Sequence, residues 1–379
     1  MKARSRYHNG DAGNYIGQHL FGDDNQAMEI PNVILEVDEF DDVIEVAPNI
    51  LDGLYVRINS GALGEAKCGN FIVGQKAAEM EFADEFVKGS QKWSSRNTII
   101  QLLTAAAVDA VQCGEFEVGP DNTIHAYYKL STGLPVNEAK DSKRKEAFKN
   151  KLESYTHLVQ FVHAPEPFAG KIVKIHYQRV LVNSEGNAAH VDLSRDDDLK
   201  KRVDRPFTEE TYLLNDIGGG TYDIGVIRDG RRIDSEASRS YELGLSPEID
   251  KIIEEVADKY GYRFPSRHAF TVCATKKDYR ILLKGTEEVN IREIATKYLK
   301  PLAHEVLKKL DATWNRVPEA VTAAFIGGGA LLLRPYLEEL NGGERNLWFC
   351  ESAEESRWAI ARAYAKLNRI YDLMHTASK

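Results

Sequence analysis

Cysteine is scarce in this sequence: Cys68, Cys113, Cys273 and Cys350 are the four in a chain of 379 residues. They lie far apart and form no CxxC pair, which excludes a zinc knuckle and a disulfide-stapled secreted scaffold. Four reduced, mostly buried thiols is the reading that remains. Long apolar runs are missing too, so no stretch reaches the about 18 residues that a membrane-spanning helix needs. The basic start, MKARSRYHNGDAG, is not followed by the apolar core of a secretory signal. The expectation is a cytoplasmic protein without membrane contact. Positive charge is in short supply: 49 Lys and Arg stand against 58 Asp and Glu, a net charge of −9. Binding to nucleic acid draws on concentrated positive charge, so no direct nucleic-acid contact is expected. The sequence also lacks a GxxxxGK[ST] phosphate loop and any internal repeat.

What is present is an ordinary globular balance, 43% hydrophobic and 28% charged. The length calls for two domains. Short apolar runs punctuated by Gly, Asp and Asn over residues 30–88 predict a small β-rich unit. In the stretch 94–111, which opens on Ser94-Ser95, a Ser cap and apolar residues at helical spacing predict a buried helix. Residues 127–136 read as a strand entering a Gly-Leu-Pro turn, and 140–152 as a basic amphipathic helix. Strand signals return over 171–183 and again in Ala188-Ala-His-Val-Asp-Leu193. The polar stretch 194–205 reads as an exposed loop. Residues 211–216 and 221–227 read as two strands joined by glycines. A helix over 246–260 is expected with Ser246 as N-cap and Pro247 at N1. Another spans 291–314, with Pro301 marking a break or kink. A strand–glycine–helix unit follows at 321–340, and a final helix over 354–374. The mixture makes an α/β protein.

Three stretches carry chemistry. In Thr211–Gly230, TYLLNDIGGGTYDIGVIRDG, Gly218-Gly219-Gly220 and Thr221 form a turn between strands. Consecutive glycines let backbone amides point into one concavity and hold phosphate oxygens. Asp216 at the lip of that turn is placed to hold hydrated Mg²⁺, which favours one or two carboxylates plus water and phosphate oxygens. The alternative is a plain glycine-rich hairpin with a surface Asp. In Ala323–Leu340 a buried strand ends at Gly327-Gly328-Gly329 and a helix begins at once. Glycines there let a flat ligand lie against backbone at a helix N-terminus; close strand–helix packing without a ligand is the alternative. The spacing is not GxGxxG, which counts against a Rossmann dinucleotide site. Gly10-Asp11-Ala12-Gly13-Asn14 is a weak motif alone.

Taken together and in this order, the three stretches resemble the actin-like ATPase superfamily, and within it the ParM-type bacterial actins of plasmid segregation. Lys143–Leu152 after Gly133-Leu-Pro-Val136, Val180–Glu185 and Leu243-Gly244-Leu-Ser246 are similar to that family's pattern. The resemblance covers most of residues 120–370 and is thin over 1–118. It implies an actin-like two-domain fold of duplicated ribonuclease H-like mixed sheets with an interdomain nucleotide cleft. Domain I would be 1–188 plus 345–379, with a subdomain at about 30–88; domain II would be 189–344, with a subdomain at about 245–300.

The resemblance further implies binding and hydrolysis of ATP, with GTP as the other candidate nucleotide, and Mg²⁺. Asp11 and Asp216 would hold the metal through water. Gly13, Asn14 and the Gly218–Thr221 amides would cradle the phosphates, Gly327–Gly329 would flank the adenosine, and Gly244 would lie near the ribose. Glu185 would activate water; as plain sequence, Asn-Ser-Glu-Gly is also turn chemistry. Hydrolysis would drive turnover of a head-to-tail filament of this chain, joined to DNA through an adaptor protein. A small-molecule kinase of the same superfamily and a non-polymerising actin-fold scaffold are the alternatives. Two features depart from the family. The residues before Asp11 are polar (Arg6–Gly10), and Gln18 stands where actins often place a phosphate-contacting Lys. Either Gln18 makes a neutral bond to phosphate, or the first hairpin lies elsewhere.

Overall fold

A computed structural model describes residues 5–13, 16–41, 45–80, 84–85 and 91–376. The chain divides into two compact units, residues 1–134, 138–184 and 361–379 in the first and 135–137 and 185–360 in the second.

The first unit contains β1 (Arg6–Ala12), β2 (Ile16–Phe21), β3 (Gln26–Pro31), β4 (Val33–Val37), β5 (Leu54–Asn59), β6 (Cys68–Val73), β7 (Asp84–Glu85), β8 (Glu117–Val118), β9 (Thr123–Leu134), β10 (His157–Phe161) and β11 (Ile172–Ser184). They form one sheet in the order β3-β2-β1-β9-β11-β10-β5-β6-β4-β7, with β8 paired to β9. The strands of the 30–88 stretch thus continue the same sheet. Among its helices are α1 (Gln75–Ala78), α2 (Arg96–Cys113) and, beyond the short α3 (Val136–Ala139), α4 (Ser142–Glu153). Ser95 Oγ accepts the Thr98 amide at the start of α2, a cap that contributes about 1 kcal/mol. Ile99, Leu102, Leu103 and Ala106 of α2 pack with Tyr128, Leu130, Val173 and Ile175 of the sheet as the core. The basic α4 buries only Phe148 and Leu152.

β1 forms although its sequence, RYHNGDA, is polar. Each inward polar group has a partner. Arg6 Nε donates to Asp109 Oδ2 at 3.1 Å, Asn9 Nδ2 to the Leu20 carbonyl at 3.1 Å, and His8 Nε2 lies 3.1 Å from His19 Nδ1. Gly10 is required by packing, since a Cβ there would sit 2.7 Å from Leu102 Cδ2 of α2.

Burial holds these histidines neutral. Burial, with the charge of Lys92 adding to it, brings His19 down to about 3, and burial with the neighbouring His19 holds His8 well below the usual value. His157, set between Ser60 Oγ and the Leu152 carbonyl, falls to about 4 through burial. A histidine whose folded pKa lies below its unfolded value of about 6.5 leaves the unfolded chain binding more protons in acid. Stability is therefore full above about pH 6.5 and drops as pH falls below it, by up to about 1.4 kcal/mol per group per pH unit. Urea unfolding of the first unit at about pH 7 and about pH 5.5 should show a midpoint several tenths molar lower in acid. Identical midpoints would mean that these rings are not buried neutral.

The second unit contains α5 (Glu185–Ser194), β12 (Tyr212–Ile217), β13 (Tyr222–Arg228), β14 (Arg232–Tyr241), α6 (Ser246–Tyr260), α7 (Arg267–Lys276), β15 (Arg280–Leu283), β16 (Glu287–Asn290), α8 (Arg292–Trp314), β17 (Thr322–Ile326), α9 (Gly327–Asn341) and β18 (Leu347–Phe349). Its main sheet has the order β14-β13-β12-β17-β18, and β15 and β16 form a separate hairpin. The final helix, α10 (Ala353–Thr376), begins in this unit and belongs to the first from residue 361.

Three local expectations are corrected. Residues 188–193 lie within helix α5, not a strand; six residues rich in Ala do not fix a period, and Ala favours helix. Ser246 is the first helical residue, and Leu245 is the N-cap without a side-chain bond; the Ser246 amide, which has no intrahelical partner in the first turn, donates to the Gly219 carbonyl at 2.9 Å. Helix α8 is continuous through Pro301, which overturns the break among the two expectations of break or kink. Of the cysteines, Cys273 and Cys350 are buried, Cys113 is half-buried and Cys68 is exposed; all four are free thiols.

Candidate functional site

The same supersecondary unit occurs twice. In the first unit β3, β2 and β1 are antiparallel neighbours, and β1, β9 and β11 run parallel. In the second, β14, β13 and β12 are antiparallel, and β12, β17 and β18 run parallel. Counting only these five strands of each unit in chain order, both orders are 3-2-1-4-5. The two hairpins at the start of each repeat correspond, and each carries an Asp as the next-to-last residue of its first strand: Asp11 in β1 and Asp216 in β12. Across the hairpins Asp11 pairs with Gln18, and Asp216 with Asp223.

In the second unit the turn is built almost entirely from backbone. The Gly218 amide closes it by donating to the Thr221 carbonyl at 2.9 Å. The Leu245 and Ser246 amides, at the entry to α6, donate to the carbonyls of Gly218 and Gly219 at 3.1 and 2.9 Å. Gly244 makes this approach possible, since a Cβ there would collide with the Gly219 carbonyl. The amides of Gly219, Gly220 and Thr221 make no backbone hydrogen bond among the described residues, which leaves three consecutive donors on one loop. Thr221 Oγ1 donates to Asp223 Oδ2 at 3.2 Å.

The second glycine stretch meets the Asp216 hairpin directly. Strands β12 and β17 are parallel, with Asp216 level with Ile326, so both chains leave the sheet at the same edge. Gly327 has φ +84°, in the left-handed region that favours glycine, and a Cβ on it would lie 2.6 Å from Asp216 Oδ1. A Cβ on Gly329 would collide with the Ile217 carbonyl, whereas one on Gly328 would meet nothing within 4 Å. The three glycines thus differ in purpose. Gly327 and Gly329 are required for packing, and Gly328 faces open space at the N-terminus of α9. Gly328→Ala is therefore expected to leave the melting temperature within about 2 °C while weakening binding of ATP about tenfold. Titration of a fluorescent ATP analogue checks this; unchanged affinity would remove the α9 N-terminus from the ligand site.

In the first unit the hairpin tip is narrow: a Cβ on Gly13 would lie 2.7 Å from the Ile16 carbonyl, and Asn32 Nδ2 donates to the Gly13 carbonyl at 2.8 Å. Asn14 lies outside the described residues. Gln18 is buried and its Nε2 donates to Glu29 Oε1 at 3.1 Å. Asp11 Oδ1 lies 3.2 Å from Nζ of Lys92. The Lys92 backbone is itself fixed, because Glu138 Oε1 accepts the Lys92 amide and Oε2 the Trp93 amide, each at 3.0 Å. Sequence reading missed Lys92, Asn32 and Glu138. They sit 81, 19 and 46 residues from their partners, and no local pattern links such distant positions. Glu185 opens α5, where an acidic group in the first turn suits the helix dipole. It is half-buried.

Among the described residues no cluster of three or more His, Cys, Asp or Glu could hold a metal ion unaided. Asp216, beside a cradle that a Cβ would fill, fits a hydrated magnesium shared with phosphate rather than an all-protein cage. No helix among the described residues is long and apolar enough to cross a membrane.

Comparison with known proteins agrees with this architecture. The family described as archaeal actin homologue MreB-like, C-terminal, matches residues 214–339, the stretch from the Asp216 hairpin through α9. No curated protein matches the chain in sequence. Among solved structures, the actin-like protein Alp7A is 19% identical with a TM-score of 0.77 over 98% of each chain. Bacillus thuringiensis ParM with ATP is 22% identical with a TM-score of 0.73, over 97% of this chain and 99% of that one. A 15-stranded ParM filament from Clostridium botulinum is 18% identical with a TM-score of 0.70, over 97% of this chain and 99% of that one. The chain therefore has the α/β fold of these Alp7A and ParM structures.

Proposed function

We propose that this chain is an ATP-binding and ATP-hydrolysing actin-like protein that polymerises head-to-tail into dynamic filaments and serves plasmid DNA segregation through an adaptor. The observation that carries this reading is the duplicated hairpin, with an Asp one residue from the end of the first strand in both copies. ParM proteins of the same fold have been solved with ATP and as a filament, which supports both halves of the proposal.

Each unit corresponds to one actin-like domain, with subdomains at about residues 30–88 and 245–300. The amides of Gly219, Gly220 and Thr221, together with Gly13 and Asn14, bind phosphate oxygens, while Gly218 closes its turn. Gly327–Gly329 flank the adenosine, with Gly328 as the open face, and Gly244 holds the loop beside the ribose. Asp11 and Asp216 would hold magnesium through water, and the metal would neutralise phosphate charge when bound. Glu185 orients and deprotonates the attacking water, and the fixed amide donors stabilise charge on the phosphoryl oxygens. An open head-to-tail contact propagates as a filament, and the bound nucleotide biases it by binding one conformation more tightly.

Sedimentation tests the reading. With Mg-ATP the protein should pellet above a threshold concentration and remain in the supernatant without nucleotide. No pellet at any concentration would discard the filament, and phosphate transfer to an added small-molecule acceptor would favour the kinase.

A further inference from the structure

A chain of buried polar groups runs from β11 to β2 in the first unit. Tyr177 of β11 places its hydroxyl 3.3 Å from His8 Nδ1 and 3.5 Å from the Leu102 carbonyl of α2, and His8 Nε2 lies 3.1 Å from His19 Nδ1. Both histidines are fully buried, and burial keeps them neutral, so each ring has one N–H and one bare nitrogen. The phenol has a single proton to give, and the imidazole nitrogen is the nearer and more basic of its two acceptors. Tyr177 therefore donates to His8 Nδ1, and His8 Nε2–H donates to His19 Nδ1. His19 is left with its proton on Nε2, which has no hydrogen-bond partner among the described residues. A buried donor in that position is costly unless something accepts from it.

Two more unmet groups stand on the helix that covers this ring. Gln101 and Thr104 of α2 share one helix face and are fully buried, and Gln101 Oε1 and Thr104 Oγ1 also lack a partner among the described residues. That face rests on β2: a Cβ on Gly17 would lie 2.3 Å from Gln101 Nε2, which donates to the Ile30 carbonyl at 3.0 Å. Gly17 and His19, two residues apart in β2, project to the same side of the sheet. A Cβ on Gly10, the cross-strand neighbour of His19, would meet both Leu102 Cδ2 of α2 at 2.7 Å and His19 Nδ1 at 3.0 Å, so the His19 ring also lies against α2. We propose that His19, Gln101 and Thr104 enclose one ordered water between β2 and α2. The water accepts from His19 Nε2–H and Thr104 Oγ1–H and donates to Gln101 Oε1, which is close to the number of bonds that internal waters ordinarily make. A metal ion does not suit the place, because it needs a bare nitrogen and His19 Nε2 carries the proton.

Nuclear magnetic resonance on the full chain, labelled with nitrogen-15 in histidine, tests both the direction of the relay and the water, and needs no nucleotide. At neutral pH the spectra should show the proton on Nε2 of both His8 and His19, and the His19 Nε2 proton should give a cross-peak to a long-lived water. A crystal structure should place one water oxygen within about 3.2 Å of His19 Nε2, Thr104 Oγ1 and Gln101 Oε1. Thr104→Val keeps the shape and removes one partner of the water, so it should speed exchange of the His19 Nε2 proton with solvent about tenfold, the size of one lost hydrogen bond. Thr104→Ser keeps the hydroxyl and should exchange within about twofold of wild type. Wild-type spectra with the His19 proton on Nδ1 would overturn the inference, and so would a direct bond from His19 Nε2 to Thr104 or Gln101 with no water between. Unchanged exchange in a folded Thr104→Val would overturn it as well. The wild-type measurements decide the matter whether or not that variant folds.

Discussion

Replacing Asp216 by Ala is expected to lower magnesium-dependent ATP affinity at least about tenfold while the chain stays folded. The side chain is half-buried at the end of β12, beside the position where Gly327 has no Cβ. The strand around it is held by backbone pairing with β13 and β17 and by buried Leu213, Leu214 and Ile217. Truncation to Ala therefore removes a carboxylate without opening the core. On the proposed role, an anionic anchor for a hydrated divalent ion is lost, and the loss should be visible only with magnesium present. Binding titrations with and without the metal separate the two cases. If Asp216→Ala keeps the wild-type magnesium dependence, the second hairpin is not the metal site.

The second large effect falls on turnover rather than on binding. Glu185→Ala should slow phosphate release at least about tenfold, within the range of a lost general base, and leave ATP affinity within about twofold. The residue begins α5 and packs at its first turn, so its removal costs that helix only about 0.5 kcal/mol of dipole interaction. Neighbouring Gly186 is the buried contact, since a Cβ there would press on Val136 Cγ2 at 3.3 Å and Ile233 Cδ1 at 3.2 Å. Single-turnover phosphate release with saturating ATP measures the effect, and Glu185→Gln, which keeps the size and loses the base, should behave like Ala. Wild-type turnover in both variants would take Glu185 out of the mechanism.

Much of the fold was legible because its signals are local. The Ser95 cap, the Gly218–Gly220 turn between two apolar runs, and the apolar Thr322–Ile326 strand ending in glycines are each contained in about ten residues. The polar β1 strand was the hard case. Arg6, His8 and Asn9 become strand residues only because Asp109, His19 and the Leu20 carbonyl are brought to them from elsewhere. A sequence pattern does not contain those partners. For the same reason the cation beside Asp11 could not be found by counting from the Asp: it arrives from the segment before α2, fixed by Glu138 from after β9. The local mistakes have local causes. Ala188–Leu193 was too short to show its period, and Ser246 lies one residue inside the helix, with its amide on the Gly219 carbonyl of a distant turn. Gly244 shows a different limit: the sequence marks it as special, and the structure shows that one purpose is to let α6 approach the glycine turn.

On the proposed function, nucleotide hydrolysis and filament turnover belong to one cycle. Right-angle light scattering and phosphate release followed together after adding Mg-ATP test it most directly. Scattering should rise with protein concentration and decay as phosphate accumulates. Phosphate release with flat scattering at every concentration would contradict it.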